Sequence, residues 1–250
     1  MRGLSRWWDA VIHLLYPRRC AGCGEIFEEI SREKPLCPIC YANWLAAQRG
    51  ICKSCGRPQN ACRCGPLGLS SVDVFVHLAA YEPGVVTEII WKMKRERRPD
   101  LIGFLGGELS GALMAVLREC ENYREQCLLT HTPRLSKNVR GFGFDQSALL
   151  ARETAEHLFL PYSALFCRNT GTTEQKQLTR GARMENAENA YRLRSGAAER
   201  IAGRTVVIID DVITTGSTVG VCAALLKHAG AEYVIAAAVA RTKPGKKGAV

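Results

Sequence analysis

No stretch of the chain approaches the roughly 18 consecutive apolar residues that a membrane-spanning helix needs, so no integral membrane segment is expected. A secretory leader is not expected either: Arg2 and Arg6 are followed by Trp7-Trp-Asp9, which interrupts any apolar core, and no small-residue cleavage site comes after it. There is no low-complexity tract and no internal repeat beyond paired cysteines, which sets aside a disordered tail or a repeat array as the main architecture. Neither Gly-x-x-x-x-Gly-Lys-Ser/Thr nor Gly-x-Gly-x-x-Gly occurs, so P-loop and dinucleotide sites are disfavoured. These absences leave a soluble protein of a reducing cytoplasm as the expectation.

What the chain does contain is concentrated in two places. The first is Val206-Val-Ile-Ile-Asp-Asp-Val-Ile-Thr-Thr-Gly-Ser-Thr-Val-Gly220. Residues 206–209 are a short β-branched apolar run, as in a buried parallel strand. Whatever follows sits at the strand's carboxyl end, where open α/β sheets place ligands. Asp210 and Asp211 are consecutive, so an extended backbone points their side chains to opposite sides, and carboxylates accept hydrogen bonds from vicinal sugar hydroxyls. In Thr214-Thr-Gly-Ser-Thr218, Gly216 permits a backbone conformation closed to other residues while N–H groups and hydroxyls turn inward, a concavity suited to phosphate. Ser217 or Thr218 then opens a helix whose N-terminal dipole adds to the anion site, with Gly230 as its stop. A plain strand-to-helix connection with two solvated aspartates is the bland account, but it does not explain all four parts in this order.

The second is the cysteine-rich segment. Cys20-Ala-Gly-Cys23, Cys37-Pro-Ile-Cys40, Cys52-Lys-Ser-Cys55 and Cys62-Arg-Cys64 hold eight of the twelve cysteines within 45 residues. Such knuckles bring two thiolates onto one tetrahedral ion, and eight ligands imply two structural zinc ions. Pairing by sequence gives Cys20, Cys23, Cys37 and Cys40 as one site and Cys52, Cys55, Cys62 and Cys64 as the other; an interleaved assignment is the alternative. A disulfide framework would fit a secreted module, but no leader precedes the cluster, and the other cysteines are scattered, mostly among apolar neighbours.

The segment IIDDVITTGST resembles the 5-phosphoribosyl-1-pyrophosphate signature of type I phosphoribosyltransferases. The resemblance implies a type I phosphoribosyltransferase fold, an α/β fold with a mostly parallel sheet flanked by helices. Asp210 and Asp211 would be the catalytic pair on the ribose hydroxyls, Val212 and Thr214, Thr215, Gly216, Ser217 and Thr218 the loop on the 5-phosphate, and magnesium the bridge on the pyrophosphate. With the N-terminal double zinc ribbon, nearly the whole chain resembles the ComF (ComFC or GntX-like) family of competence-associated proteins. Further matches are Leu14-Leu-Tyr-Pro17, Arg140-Gly-Phe beside Asp145-Gln146, and Gln177-Leu-Thr-Arg180 with Arg183 and Asn186. The chain departs at Arg140-Gly-Phe-Gly-Phe-Asp-Gln146, where the family more often reads Arg-Gly-Phe-Asn-Gln.

At 250 residues and 47% hydrophobic content, the chain can bury one α/β core and carry a small metal-stapled module. We place the ribbon module at residues 1–66, the transferase module at 72–243 and a basic tail at 244–250, with the turn-rich stretch 65–71 as the boundary. Residues 4–15 have helical apolar spacing suited to packing on the chain's own modules. Residues 72–79 alternate as a strand, with His77 a satisfied core or surface residue. Helices are expected over 84–94, 101–120 and 145–157, and strands over 127–130, 163–166 and 233–239, all strands completing the sheet.

Net charge is +10, from 34 basic and 24 acidic residues, which favours polyanionic partners. In Trp91-Lys-Met-Lys-Arg-Glu-Arg-Arg98 a solvated helix face is the plain account. The resemblance gives the loop at Pro133, Arg134, Lys137 and Arg140 the pyrophosphate, and makes the polar stretch 170–183, with Arg180 and Arg183, a lid. Trp44 and Trp91 could stack on bases, though buried anchors are the commoner role. No motif reads an acceptor base. Three readings follow: a phosphoribosyl transferase, a non-catalytic phosphoribosyl or nucleotide sensor, and a single-stranded-DNA-handling adaptor whose partner is a competence helicase or another DNA-uptake protein.

Overall fold

The computed structural model describes residues 19–26, 35–120, 122–134, 143–168 and 190–242; residues 4–15, the basic tail, Lys137, Arg140, Arg180 and Arg183 lie outside them. The centre is a four-stranded parallel sheet made of β1 (Val74–Ala80), β2 (Cys127–His131), β5 (Thr205–Ile213) and β6 (Tyr233–Arg241), in the order β1-β6-β5-β2. The signature strand β5 is therefore interior, with Ile209 opposite His131 on one side and Ala237 on the other. A strand covered on both faces needs apolar residues at every position rather than at alternate ones, which is why residues 206–209 run without a polar break.

Alternation along β5 feeds two cores. Val207 and Ile209 pack with α2 (Val85–Arg95), α3 (Pro99–Leu117) and α5 (Gln146–Leu158) on one face. Val206 and Ile208 pack with α6 (Ala197–Ile201) and α7 (Ser217–His228) on the other. Between α3 and β2 stands the single turn α4 (Tyr123–Gln126).

Helix α3 is long and apolar enough to cross a membrane by length and composition, but Asp100 and Glu108 interrupt its apolar run. Its Leu101, Leu105, Leu109, Leu113 and Leu117 are fully buried in the first core, so its apolar character serves the interior of the molecule. The strand expected at 163–166 begins instead at Phe166: β3 (Phe166–Arg168) pairs antiparallel with β4 (Tyr191–Leu193) in a separate two-stranded sheet. The residues before it meet β2 through an isolated bridge from Tyr162 to Leu129 and through the N–H of Leu165 on the Thr130 hydroxyl. A short apolar run specifies burial and extension, but not which neighbour supplies the hydrogen bonds.

The cysteine-rich segment folds onto this body. Its helix α1 (Pro38–Arg49) buries Trp44 completely, and the indole N–H donates to Glu108 Oε2 of α3 at 3.0 Å. Trp44 is thus an anchor, as expected. Trp91 is not: it is about half exposed, with the Arg95 guanidinium 4.7 Å from its ring centre. His77 is fully buried, stacked on Phe75, and bonded through Nε2 to Gln59 of the second cysteine group at 3.1 Å. Burial drives its pKa down to about 3, so it is a neutral core residue.

Candidate functional site

The carboxyl end of β5 carries the acidic pair, and the two aspartates have different surroundings. Asp210 Oδ1 accepts from the Ser147 hydroxyl at 3.0 Å and from the N–H of Asp211 at 2.9 Å. Desolvation first, and the adjacent Asp211 charge second, raise its carboxyl to about 6 despite these donors and Arg134. Asp211 is buried; its Oδ1 accepts from the N–H of Val212 at 2.6 Å, while Oδ2 pairs with the Arg134 guanidinium and with Lys94 Nζ at 3.4 Å.

Arg134 arrives from the segment after β2, beside Pro133, and its Nε also lies 4.0 Å from Asp145. Asp145 in turn caps α5, accepting from the N–H of Ala148 at 3.1 Å. His131, the last residue of β2, bonds through Nδ1 to the Tyr162 hydroxyl at 2.8 Å, and its Nε2 is 3.9 Å from Asp145. Burial outweighs that carboxylate and lowers the His131 pKa, keeping the ring neutral. The residues expected from β2 and β5 thus converge at one sheet edge. Lys94 and Ser147 join them without having been singled out as site residues. The basic run 92–98 held the signal for Lys94, but nothing local tells a helix-end lysine beside a buried carboxylate from one in water.

Beyond Val212 the chain turns at 214–216 into α7. Gly216 is the N-cap residue with φ of 78°, the left-handed conformation anticipated for it, and Ser217 opens the helix. The Thr215 and Ser217 hydroxyls are 2.9 Å apart and exposed at the helix start. A glycine turn with hydroxyls at a helix N-terminus is an arrangement that can meet an anion through backbone N–H groups.

The boundary stretch is a structural part of this loop. The N–H of Gly68 donates to the Thr215 carbonyl at 3.2 Å. A Cβ on Gly220 would stand 1.8 Å from the Gly68 carbonyl oxygen, so the turn at 66–69 lies directly against the start of α7. The second cysteine group is tied to the same end of the sheet by buried Arg241, which donates to the Cys64 carbonyl and reaches Cys52 Sγ at 3.7 Å.

The eight knuckle cysteines form two tetrads in the order of the sequence: Cys20, Cys23, Cys37 and Cys40, then Cys52, Cys55, Cys62 and Cys64, each with all sulfurs within 4.8 Å of one another. Cys23 and Cys37 sulfurs are 3.9 Å apart and Cys55 and Cys62 sulfurs 3.5 Å. Tetrahedral zinc with bonds of about 2.3 Å sets sulfurs roughly 3.8 Å apart, whereas a disulfide needs about 2.05 Å, so the tetrads fit the ion. Four sulfurs this close also conflict as thiolates. Burial, joined by neighbouring sulfurs, pushes Cys62 up to about 12; at Cys20, burial is overcome by N–H donors from Cys37, Cys23 and Gly22, and the thiol falls to about 6. A divalent cation removes that conflict.

Comparison with known proteins agrees with both halves. A phosphoribosyl transferase domain model matches residues 146–250, and a double zinc ribbon domain model matches residues 11–67. Over 227 residues the chain is 30% identical to DNA utilization protein YhgH of Salmonella typhi, an alignment covering 83% of this chain and 97% of that protein. It is 33% identical over 93 residues to competence protein F of Haemophilus influenzae, covering 37% of this chain and 40% of that protein. Among solved structures, glutamine phosphoribosylpyrophosphate amidotransferase from B. subtilis, complexed with ADP and GMP, superposes with a TM-score of 0.40 and 20% identity, over 60% of this chain and 30% of that one.

Proposed function

Because this chain belongs to the ComF family of double-zinc-ribbon, phosphoribosyltransferase-fold proteins, we propose that it binds 5-phosphoribosyl-1-pyrophosphate with magnesium at the carboxyl end of β5. The observation that carries the reading is the acidic pair, Asp211 buried and Asp210 partly buried, followed five residues on by a left-handed Gly216 and the N-terminus of α7. In this assignment Asp210 and Asp211 take the ribose hydroxyls, and Val212 through Thr218 take the 5-phosphate. Pro133 and Arg134, with Lys137, Arg140, Arg180 and Arg183 from outside the described residues, take the pyrophosphate. Magnesium, when bound with the donor, would supply charge neutralisation to the departing pyrophosphate. The chain's own groups hold the sugar in attack geometry, which suits displacement of pyrophosphate at the anomeric carbon. Residues 1–66 would serve as the ribbon module and 72–243 as the transferase module, with zinc in both tetrads.

Isothermal titration of zinc-loaded protein with the donor and magnesium tests this reading. Saturable binding is expected for the wild type and none for Asp210→Ala/Asp211→Ala; a folded wild type that binds nothing would sink it. Pyrophosphate release that depends on an added acceptor would make the protein a transferase, and binding without turnover would make it a sensor.

The names of the relatives place them in DNA utilization and competence, and we extend that setting to this chain. Half-exposed Trp91, with Arg95 over its ring and a basic run around it, suits stacking on single-stranded DNA. Salt-sensitive binding that persists in Asp210→Ala/Asp211→Ala but disappears with zinc removal would support this second role, with a competence helicase or another uptake protein as its partner.

A further inference from the structure

Asp211 presents a difficulty for any ligand that needs its carboxylate. One oxygen accepts from the N–H of Val212 at 2.6 Å, and the other carries both the Arg134 guanidinium and Lys94 Nζ at 3.4 Å. A carboxylate held in this way has little capacity left for sugar hydroxyls. Yet the cations are not surplus: with Asp210, Asp211 and Asp145 gathered at one sheet edge, removing them would leave a cluster that repels an anionic ligand.

The two cations differ in freedom. Arg134 is largely buried between Asp211 and Asp145. Lys94 has a side chain about one-third exposed on a fixed base. Its carbonyl accepts from Gln146 Nε2 at 2.6 Å, Met93 beside it is fully buried, and Lys92 donates to the Cys20 carbonyl at 3.0 Å. The end of α2 is therefore pinned at three successive residues, whereas the four-carbon stem of Lys94 can swing its ammonium through several ångströms. A pinned backbone with a mobile charged tip over a buried carboxylate is not the solvated helix face that the run 92–98 suggested.

We propose that Lys94 is a displaceable counter-ion: it neutralises Asp211 in the free protein and moves to the pyrophosphate of the incoming donor, releasing Asp211 to the ribose hydroxyls. The inference rests on the phosphosugar reading above. It assigns Lys94 the selection of pyrophosphorylated sugars over simple sugar phosphates, because only a ligand with a second anionic group offers the ammonium a better partner than Asp211.

The test compares two ligands in one titration series on the full zinc-loaded chain: 5-phosphoribosyl-1-pyrophosphate with magnesium, and ribose 5-phosphate. Lys94→Met should weaken the first by about 10-fold or more, the loss expected for one charge-assisted contact, and weaken the second much less, so that the preference for the first falls. Lys94→Gln, which keeps the stem and a polar tip, should follow Met, and Lys94→Arg should stay close to wild type. Equal weakening of both ligands, or no weakening of either, would overturn the proposal. A wild type that binds neither ligand would overturn the phosphosugar reading along with it, whereas a wild type that binds both while Lys94→Met keeps the wild-type preference overturns the Lys94 role alone.

Discussion

At Asp210 folding and the proposed ligand binding make opposite demands on one side chain. Desolvation and the neighbouring Asp211 charge raise its carboxyl from 3.8 to about 6, so the folded protein holds a proton that the unfolded chain has already released. Between these two values the folded state binds more protons than the unfolded one, so this group's contribution to stability falls as pH rises through that window and then levels off. Asp210→Asn should remove that component, so the difference between variant and wild-type melting temperatures should grow from pH 4 to pH 6. At pH 7 the variant should melt about 2–4 °C higher if the relief is about 1 kcal/mol. On the proposed reading the same variant should lose phosphosugar affinity, a stability gain at the expense of function. A flat difference across the window would show that Asp210 is ionised throughout.

At the scale of elements, the loop at 214–216, the proposed phosphate site, takes its shape from a turn distant in sequence. Gly220, on the first turn of α7, lies against the Gly68 carbonyl, and any Cβ there collides with backbone that has no rotamer to change. Gly220→Ala should cost about 1–3 kcal/mol in urea unfolding, as overpacking does, and should weaken sugar-phosphate binding beyond that cost by displacing residues 214–217. The tetrads allow a second test. Cys23→Ser combined with Cys37→Ser should leave one zinc per chain, because both ligands belong to one site; an interleaved pairing would lose both ions. Metal analysis of the purified double variant decides it.

Across the whole molecule, ribbon and sheet are joined by polar contacts that neither half provides alone: Arg241 on Cys64 and Cys52, His77 on Gln59, Glu108 on Trp44, and Lys92 on Cys20. Chelation of zinc should therefore raise hydrogen exchange at the turn 66–69 and at 214–217 of the anion loop as well as in the ribbons. An unchanged anion loop in chelated protein would separate the two modules.

The local order of the candidate site was legible from the chain alone: strand, acidic pair, left-handed glycine and helix start lie within fifteen consecutive residues, and each knuckle within four. Short-range spacing carries such information because the 2-residue and 3.6-residue periods and the reach of a knuckle are fixed by backbone geometry. It took the folded molecule to show that the strand begun at Phe166 leaves the main sheet, that the leucines of α3 face inward, that the tetrads are not interleaved, and that Lys94 and Arg134 meet on Asp211. Lys94 and Asp211 are separated by more than a hundred residues, and their meeting depends on how α2 packs on a parallel sheet whose strand order is β1-β6-β5-β2. Strand partners and packing partners are chosen by shape and burial between surfaces far apart in the chain, and no local pattern encodes that choice.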